Sequence, residues 1–398
     1  MPQMDLNRAR KEMVKRGFDG LIAMTAPNFY YTTGFMPPLP GRPGFCVIST
    51  DPTVEPTMLL ATFNEKVAKH ISSQKEVRTY PIWIEIVEMQ DIIENKIERQ
   101  EKPAQFDFKE IYNRLAKILK DKGLQGKTIG IEKDSYMPKA YSFLEKSNPK
   151  TKFVDAEALF WDLRSIKTPE EIQILKSALQ ITEMGLKAMV EGKVEGVTIG
   201  ELYYRYKMGV MQGLNKENAM GFEMSRAMIS AGDHFASVRK QDYKISKGQS
   251  IYFDGGITLQ GYLSDMGRTL VVGKPNDLQK KIFKALKAGY DAALERLGPG
   301  VRMREIFKIA VEATRKSGLS WYTRGHMGHA VGVAPGAEQP PFISATEERV
   351  FEPGMVICLE SPLYVSELGG FQVEDEIVIT KNGIEVLNAF PRDMVEVS

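Results

Sequence analysis

Asp254-Gly255-Gly256-Ile257-Thr258-Leu259-Gln260-Gly261-Tyr262-Leu263-Ser264-Asp265 sets an acid at each end of a glycine-containing turn flanked by apolar residues. Apolar runs on either side of such a turn read as a β-hairpin. With the turn centred near 258–260, Asp254 and Asp265 come near-opposite on adjacent antiparallel strands, close enough to share one metal ion or a pair. Two anions buried side by side without a cation are expensive. Either the two aspartates hold a cation or they cap the turn, and this segment by itself admits both.

Further along, Arg324-Gly325-His326-Met327-Gly328-His329-Ala330-Val331-Gly332 carries two of the four histidines in the chain. Small neighbours would let a metal and a substrate approach the ring, although a lone histidine in such a loop is more often hydrogen-bonded structure. Met355-Val356-Ile357-Cys358-Leu359-Glu360 and Gly370-Phe371-Gln372-Val373-Glu374-Asp375-Glu376 each place an acid at the end of, or inside, an apolar strand-like run. A carboxylate there contradicts the local pattern and marks a site. Four carboxylates and one imidazole suit Mn²⁺, Co²⁺, Fe²⁺ or Zn²⁺. Five such groups converging is what a two-metal hydrolase needs.

The surrounding chain predicts an α/β (α+β) protein of two domains, 1–160 and 161–398, a division that 398 residues favour. Asp5 is placed to cap a helix that ends before Gly17, followed by a strand over 20–24. Strands at 45–49, 57–61 and 128–132 alternate with helices at 63–73, 108–122 and 138–146, the pattern of a mixed sheet. Thr168-Pro169-Glu170-Glu171 is a strong helix start for 169–192, with a second helix at 199–213. A strand from 250, helices near 276–295 and 303–317, and strands at 355–360 and 371–380 complete an order that hints at a duplicated unit.

Composition narrows the function. The chain is 43% hydrophobic and 26% charged, and 53 Lys plus Arg balance 51 Asp plus Glu to a net of +2. Neither nucleic acid nor a membrane surface is the expected partner, and a small molecule or dipeptide is. The two cysteines, Cys46 and Cys358, lie in apolar runs and predict buried free thiols. The first ten residues hold no apolar core and no window is apolar enough to span a bilayer, so a cytoplasmic location is expected.

Asp254-x-Gly-x-x-x-x-Gly261-Tyr262-x-x-Asp265-x-x-Arg268-Thr269, Gly328-His329-x-x-Gly332, Glu360 and Glu374-Asp375 together resemble the creatinase, aminopeptidase P and prolidase group of pita-bread metalloenzymes, in family order. The stretch from Gly20 to Phe35 is similar to that family's amino-terminal domain, so the resemblance covers nearly the whole chain. It implies a creatinase-like amino-terminal domain and a carboxy-terminal pita-bread metallohydrolase domain. Asp254, Asp265, His329, Glu360 and Glu374 would hold two divalent ions, Mn²⁺ first, with Zn²⁺, Co²⁺ and Fe²⁺ also open. The implied reaction is cleavage of an amide C–N bond by metal-activated water, with an Xaa-Pro dipeptide as default substrate and Glu360 as proton shuttle. It also implies a homodimer whose amino-terminal domain walls the active site, with the Pro-rich 36–44 loop as a candidate contact.

The chain departs from that family around the substrate. Arg239 stands where the peptidases place one histidine, with His234 nearby but out of register. Ala337 stands at the other histidine position, while Glu338 and Pro340 keep the pattern. Gln372 replaces an arginine two residues before Glu374. Arg239, alongside Glu360 and His329, is thus a candidate for the catalytic group, and His234, Arg239, Arg324, Glu338 and Tyr262 are candidates for substrate binding. Arg239 and Arg324 could bind a substrate carboxylate, although for either one alone pairing with surface acids is the commoner role of an exposed arginine. These departures keep two alternatives open: a creatinase- or ectoine-hydrolase-like enzyme or lyase acting on a small zwitterion, and a non-catalytic binding module.

Overall fold

Asp5 opens the first helix, its carboxylate accepting from the backbone N–H groups of Asn7 and Arg8. The computed structural model describes residues 4–36, 42–84, 86–97, 101–135, 138–216, 218–233 and 238–398. It divides into two units, Met1–Arg164 and Ser165–Ser398.

In the first unit the elements run α1 (Leu6–Lys15), β1 (Gly20–Ala23), α2 (Ala26–Thr33), β2 (Phe45–Ser49), β3 (Thr57–Ala61), α3 (Glu65–Ile71), β4 (Glu76–Tyr80), α4 (Met89–Ile93), α5 (Phe108–Asp121), β5 (Thr128–Ile131), α6 (Pro138–Ser147), β6 (Lys152–Asp155) and α7 (Glu157–Ser165). The strands form one mixed sheet in the order β4-β3-β2-β1-β5-β6, β1 pairing antiparallel with β2 and parallel with β5. Ile22, Val47, Leu59 and Ile129 pack with Ile111, Leu115 and Ile118 of the amphipathic α5. Buried Glu132, just past β5, accepts from the N–H groups of Met24 and Thr25 at 2.6 and 2.9 Å, and from Asn28 Nδ2 at 2.7 Å. Its negative charge satisfies the start of α2. Residues 37–41 of the Pro-rich loop lie outside the described residues.

The second unit starts with α8 (Pro169–Val190), where Thr168 and Glu171 form the expected reciprocal capping box. Then follow α9 (Ile199–Gly213), β7 (Phe222–Ala231), β8 (Ser250–Leu259), β9 (Tyr262–Leu263), β10 (Met266–Val272), α10 (Asp277–Arg296), α11 (Met303–Lys316), β11 (His326–Ala330), β12 (Gln339–Ser344), β13 (Val356–Glu360), β14 (Leu363–Val365), β15 (Gly369–Phe371), β16 (Glu374–Ile379), β17 (Ile384–Val386) and β18 (Val395–Val397). The order of two helices followed by strands thus occurs twice. The main sheet runs β12-β11-β13-β16-β10-β8-β7, extended by β9, β17 and β18.

Alternation decides what each face of this sheet does. Ile357, Leu359, Ile377 and Ile379 pack with Phe283 and Leu286 of α10 and Ile306 and Ala310 of α11. Their odd-numbered positions leave Cys358, Glu360, Glu374 and Glu376 on the opposite face, because side chains alternate along a strand. Among the described residues no helix is long and apolar enough to cross a membrane.

Candidate metal centre

The β8–β9 turn is made at Gln260 and Gly261, whose φ angles of 49° and 75° form the left-handed pair of a two-residue hairpin turn. This lies later than the expected centre near 258–260, and the register moves with it. Thr258 pairs with Leu263, Gly255 with Met266 and Asp254 with Gly267. Continued without a shift, the register sets Asp265 opposite Gly256. The two aspartates are therefore diagonal neighbours on one face rather than directly opposed, each facing a glycine. Gly256 is required there, since a Cβ would lie 1.7 Å from the Ser264 carbonyl oxygen.

The same register gathers the other candidates. Gly267 faces Glu374 and Glu374 faces Glu360, so Asp254, Glu374 and Glu360 share one row across the sheet. Two residues along each strand, on the same face, a second row holds Asp265, Glu376, Cys358 and His329, with Cys358 pairing both Glu376 and His329. Gly328, at φ 146°, lets β11 approach β13 closely, because a Cβ would sit 2.1 Å from the Cys358 carbonyl oxygen.

Within these rows, Asp265, His329, Cys358 and Glu374 each present a potential ligand atom, all within 4.8 Å of one another. His329 Nδ1 donates to the Ala330 carbonyl at 3.1 Å, which leaves Nε2, 3.7 Å from Glu374 Oε1, with its lone pair available. Burial lowers the His329 pKa to about 3, so the ring is neutral. Gln372 Nε2 donates to Glu374 Oε2 at 2.6 Å, so the glutamine that stands in place of an arginine still holds the last glutamate. Tyr252 donates its hydroxyl to Asp254 Oδ2 at 2.8 Å, and buried Glu376 accepts the Asp265 N–H at 2.6 Å. Asp375, pointing to the other face, is paired with Arg268, Tyr290 and Arg392.

Arg226, which no motif marks in the sequence, lies among these acids. It stands on β7 opposite Gly256. Across that bare glycine its Nη2 reaches 2.5 Å from Asp265 Oδ1, and its Nη1 lies 3.5 Å from Asp254 Oδ1. Burial opposes the Arg226 charge, but Asp265 and then Asp254 outweigh it and hold the guanidinium protonated. Glu360 has its own cation: Arg324 Nη2 is 3.0 Å from Glu360 Oε1, and His326 Nδ1 is 3.3 Å from the same oxygen. His326, too, is absent from the expected site residues. The only hint of it in the sequence is its place three residues before His329 in the same strand.

The remaining candidates are placed less centrally. Glu338 is mostly exposed, with Oε2 3.8 Å from His326 Nε2, beyond hydrogen-bond reach. Tyr262 is buried and its hydroxyl donates to Glu171 at 2.8 Å, so that group is engaged at the start of α8. Arg239 is exposed and pairs with none of the site carboxylates among the described residues, and His234 lies outside them.

Clustered burial raises the proton affinity of the acids. Desolvation first, and then Asp254 and Glu360, push Asp265 well above the usual carboxylate range, and desolvation followed by Asp265, Asp254 and Glu360 does the same to Glu374, with Arg226 working the other way on both. Desolvation pushes Glu360 up from 4.5 to about 7 despite the Arg324 charge. The Cys358 thiol is raised by burial and by Glu374 and Asp265, so it stays protonated. A carboxyl whose pKa is raised on folding stabilises the fold below its unfolded value and loses that contribution as pH rises through the folded value. His329, with its lowered value, acts oppositely but only between about 3 and 6.5. Metal-free protein is therefore expected to lose stability from pH 6.5 to pH 8, by about 1 kcal/mol from Glu360 alone, and added Mn²⁺ to cancel the loss. Thermal melts at both pH values, with and without Mn²⁺, check this. A metal-free protein equally stable at both would refute it.

Comparison with known proteins agrees with this geometry. The sequence model of metallopeptidase family M24 matches residues 173–381, and that of the creatinase/prolidase N-terminal domain matches residues 6–166. The chain belongs to metallopeptidase family M24. It is 32% identical over 290 residues to an Xaa-Pro dipeptidase of Pyrococcus furiosus, covering 72% of this chain and 79% of that relative. The prolidase structure from Pyrococcus horikoshii superposes with a TM-score of 0.78 at 25% identity, over 98% of this chain and 99% of that one. An Xaa-Pro dipeptidase from Bacillus anthracis shares the fold with a TM-score of 0.81 at 22% identity, over 98% and 99% of the two chains. This M24 member therefore joins a creatinase-like amino-terminal domain to a metallopeptidase domain, and it is a metal-dependent hydrolase. The family implies divalent metal, and the buried Asp, His and Glu cluster fits it. Hard oxygen donors and one imidazole with a free lone pair are ligands such an ion takes, and its charge offsets the cost of burying the acids together.

Proposed function

We propose that this M24 member is an Xaa-Pro dipeptidase, hydrolysing the amide C–N bond before proline in a dipeptide. The observation that carries the proposal is the double row, in which strand register aligns Asp254, Glu374 and Glu360 beside Asp265 and His329 on one face of one sheet. These five residues are the proposed metal ligands, with Mn²⁺ the preferred ion and two ions the number such a set takes. A divalent ion held there supplies Lewis acidity, making a water molecule a nucleophile at neutral pH.

The chain's own residues do the rest. Glu360 has Oε1 held by Arg324, and its carboxylate can take a proton from the attacking water at Oε2 and return it to the leaving proline nitrogen. Tyr252 and Gln372 fix the carboxylates of Asp254 and Glu374, and Glu376 holds the backbone N–H of Asp265, which keeps the ligand residues where the reaction needs them. Arg239, Arg324, His234, Glu338 and Tyr262 are the proposed substrate-contacting set, Arg324 the best placed of them beside Glu360. A homodimer and a cytoplasmic location, with domains at 1–160 and 161–398, belong to the same proposal. The peptidase names of the relatives give the zwitterion-hydrolase alternative no support.

Purified protein supplied with Mn²⁺ is expected to release free proline from at least one Xaa-Pro dipeptide, and chelator treatment to stop it. A panel of Xaa-Pro dipeptides read by ninhydrin assay tests this. No turnover of any dipeptide would sink the proposal.

A further inference from the structure

Asp254 and Asp265 do not face each other across open space. The Arg226 guanidinium lies against both, 3.5 Å from one and 2.5 Å from the other. The arrangement is built into the sheet. Arg226 and Asp254 are on the same face because Arg226 pairs with Gly256 and Met228 with Asp254, and Gly256 has no side chain to stop the guanidinium crossing to Asp265. The ligand atoms that already converge are those of Asp265, His329, Cys358 and Glu374, and Asp254 is not among them. Asp254 is instead held by the Tyr252 hydroxyl and Arg226.

Charge supports the same division. Asp254, Asp265, Glu360 and Glu374 are four carboxylates, and Arg226 and Arg324 are two guanidinium groups in contact with them. Among these six groups one divalent ion brings the charge to zero, whereas two would leave two positive charges in excess, which buried Glu376 would only half offset, and like-charge repulsion from the half-buried Arg226 disfavours that arrangement. Gln372 is neutral, so the strand beside Glu374 adds no cation of its own.

We infer that Arg226 is the resident cation of the Asp254–Asp265 side of the centre, so that this chain holds one divalent ion tightly, at the Asp265–His329–Glu374 side, and takes a second only when Arg226 is displaced. This rests on the metal-dependent reading above and limits its ion count. Arg226 is a positioning residue: it orients Asp254 and sets how many ions enter.

Chelator-treated full-length protein is equilibrated with excess Mn²⁺, freed of unbound ion by gel filtration, and its Mn²⁺ per chain measured by mass spectrometry together with its electron paramagnetic resonance spectrum. Wild-type protein is expected to keep one ion with the spectrum of an isolated Mn²⁺. Arg226→Ala is expected to keep two, with a spin-coupled spectrum. Wild-type protein retaining two coupled ions overturns the inference, as does a folded Arg226→Ala retaining only one. If the alanine variant fails to fold by circular dichroism, Arg226→Met keeps the aliphatic stem over Gly256 and removes the charge, and the same counts decide. Wild-type protein that keeps no Mn²⁺, Zn²⁺, Co²⁺ or Fe²⁺ defeats the metal reading itself, an outcome distinct from keeping two.

Discussion

Asp265→Ala is expected to lower kcat/KM for an Xaa-Pro dipeptide by at least about 10³-fold, equivalent to about 4 kcal/mol of transition-state stabilisation. Asp265 stands at the meeting point of the site. Its carboxylate is within 4.8 Å of ligand atoms on His329 and Glu374, it is the nearest partner of Arg226, and its backbone N–H is held by Glu376. Removing it takes away a proposed ligand and leaves the half-buried Arg226 with the more distant Asp254 as its ion-pair partner. The cost falls on metal content as well as turnover, because the remaining donors are fewer and less well oriented. Steady-state kinetics and metal analysis on variant and wild type check this, with circular dichroism to confirm folding. A folded variant keeping more than a tenth of wild-type activity would rule out a ligand role for Asp265.

The largest stability effect is expected at Asp375. Its carboxylate meets Arg268 at 2.6 Å, the Tyr290 hydroxyl at 2.6 Å, and Arg392. Arg268 is fully buried and also donates to the carbonyl oxygens of Gly267, Glu374, Phe390 and Pro391, tying β10 to β16 and to the segment after β17. Burial raises the Asp375 pKa, but Arg268 leads the contacts that outweigh it and bring it below the usual range. Asp375→Ala would leave a buried guanidinium without its anion, so a loss of about 3–5 kcal/mol is expected, with a melting temperature lower by roughly 10 °C. If the unpaired charge is the cause, Asp375→Leu combined with Arg268→Met should recover part of the loss. Urea and thermal unfolding of the set check this. A double variant no more stable than Asp375→Ala would show that packing, not charge, holds this junction.

Much of the centre is legible in the sequence. The acids at 254, 265, 360 and 374 break apolar runs, and buried acids of that kind need a stated reason. Capping chemistry at Asp5 and at Thr168 with Glu171 is local, so a few adjacent residues mark both helix starts. The turn is displaced from its expected centre because Gln260 adopts a left-handed conformation that glutamine does not advertise. That small displacement changes the aspartates from opposed to diagonal, since register converts a turn position into every pairing beyond it.

What the sequence determined by itself was the set of groups: five ligand candidates in order, an α/β chain of two units, and the alternation that puts acids on one sheet face and isoleucines on the other. What only the tertiary structure decided was who meets whom across strands. Arg226 reaches Asp265 because β7 and β10 flank Gly256, and Glu360 is claimed by Arg324. None of these contacts has a local signature, because a charged side chain's partner is set by strand order and register, which bring together residues that are far apart along the chain.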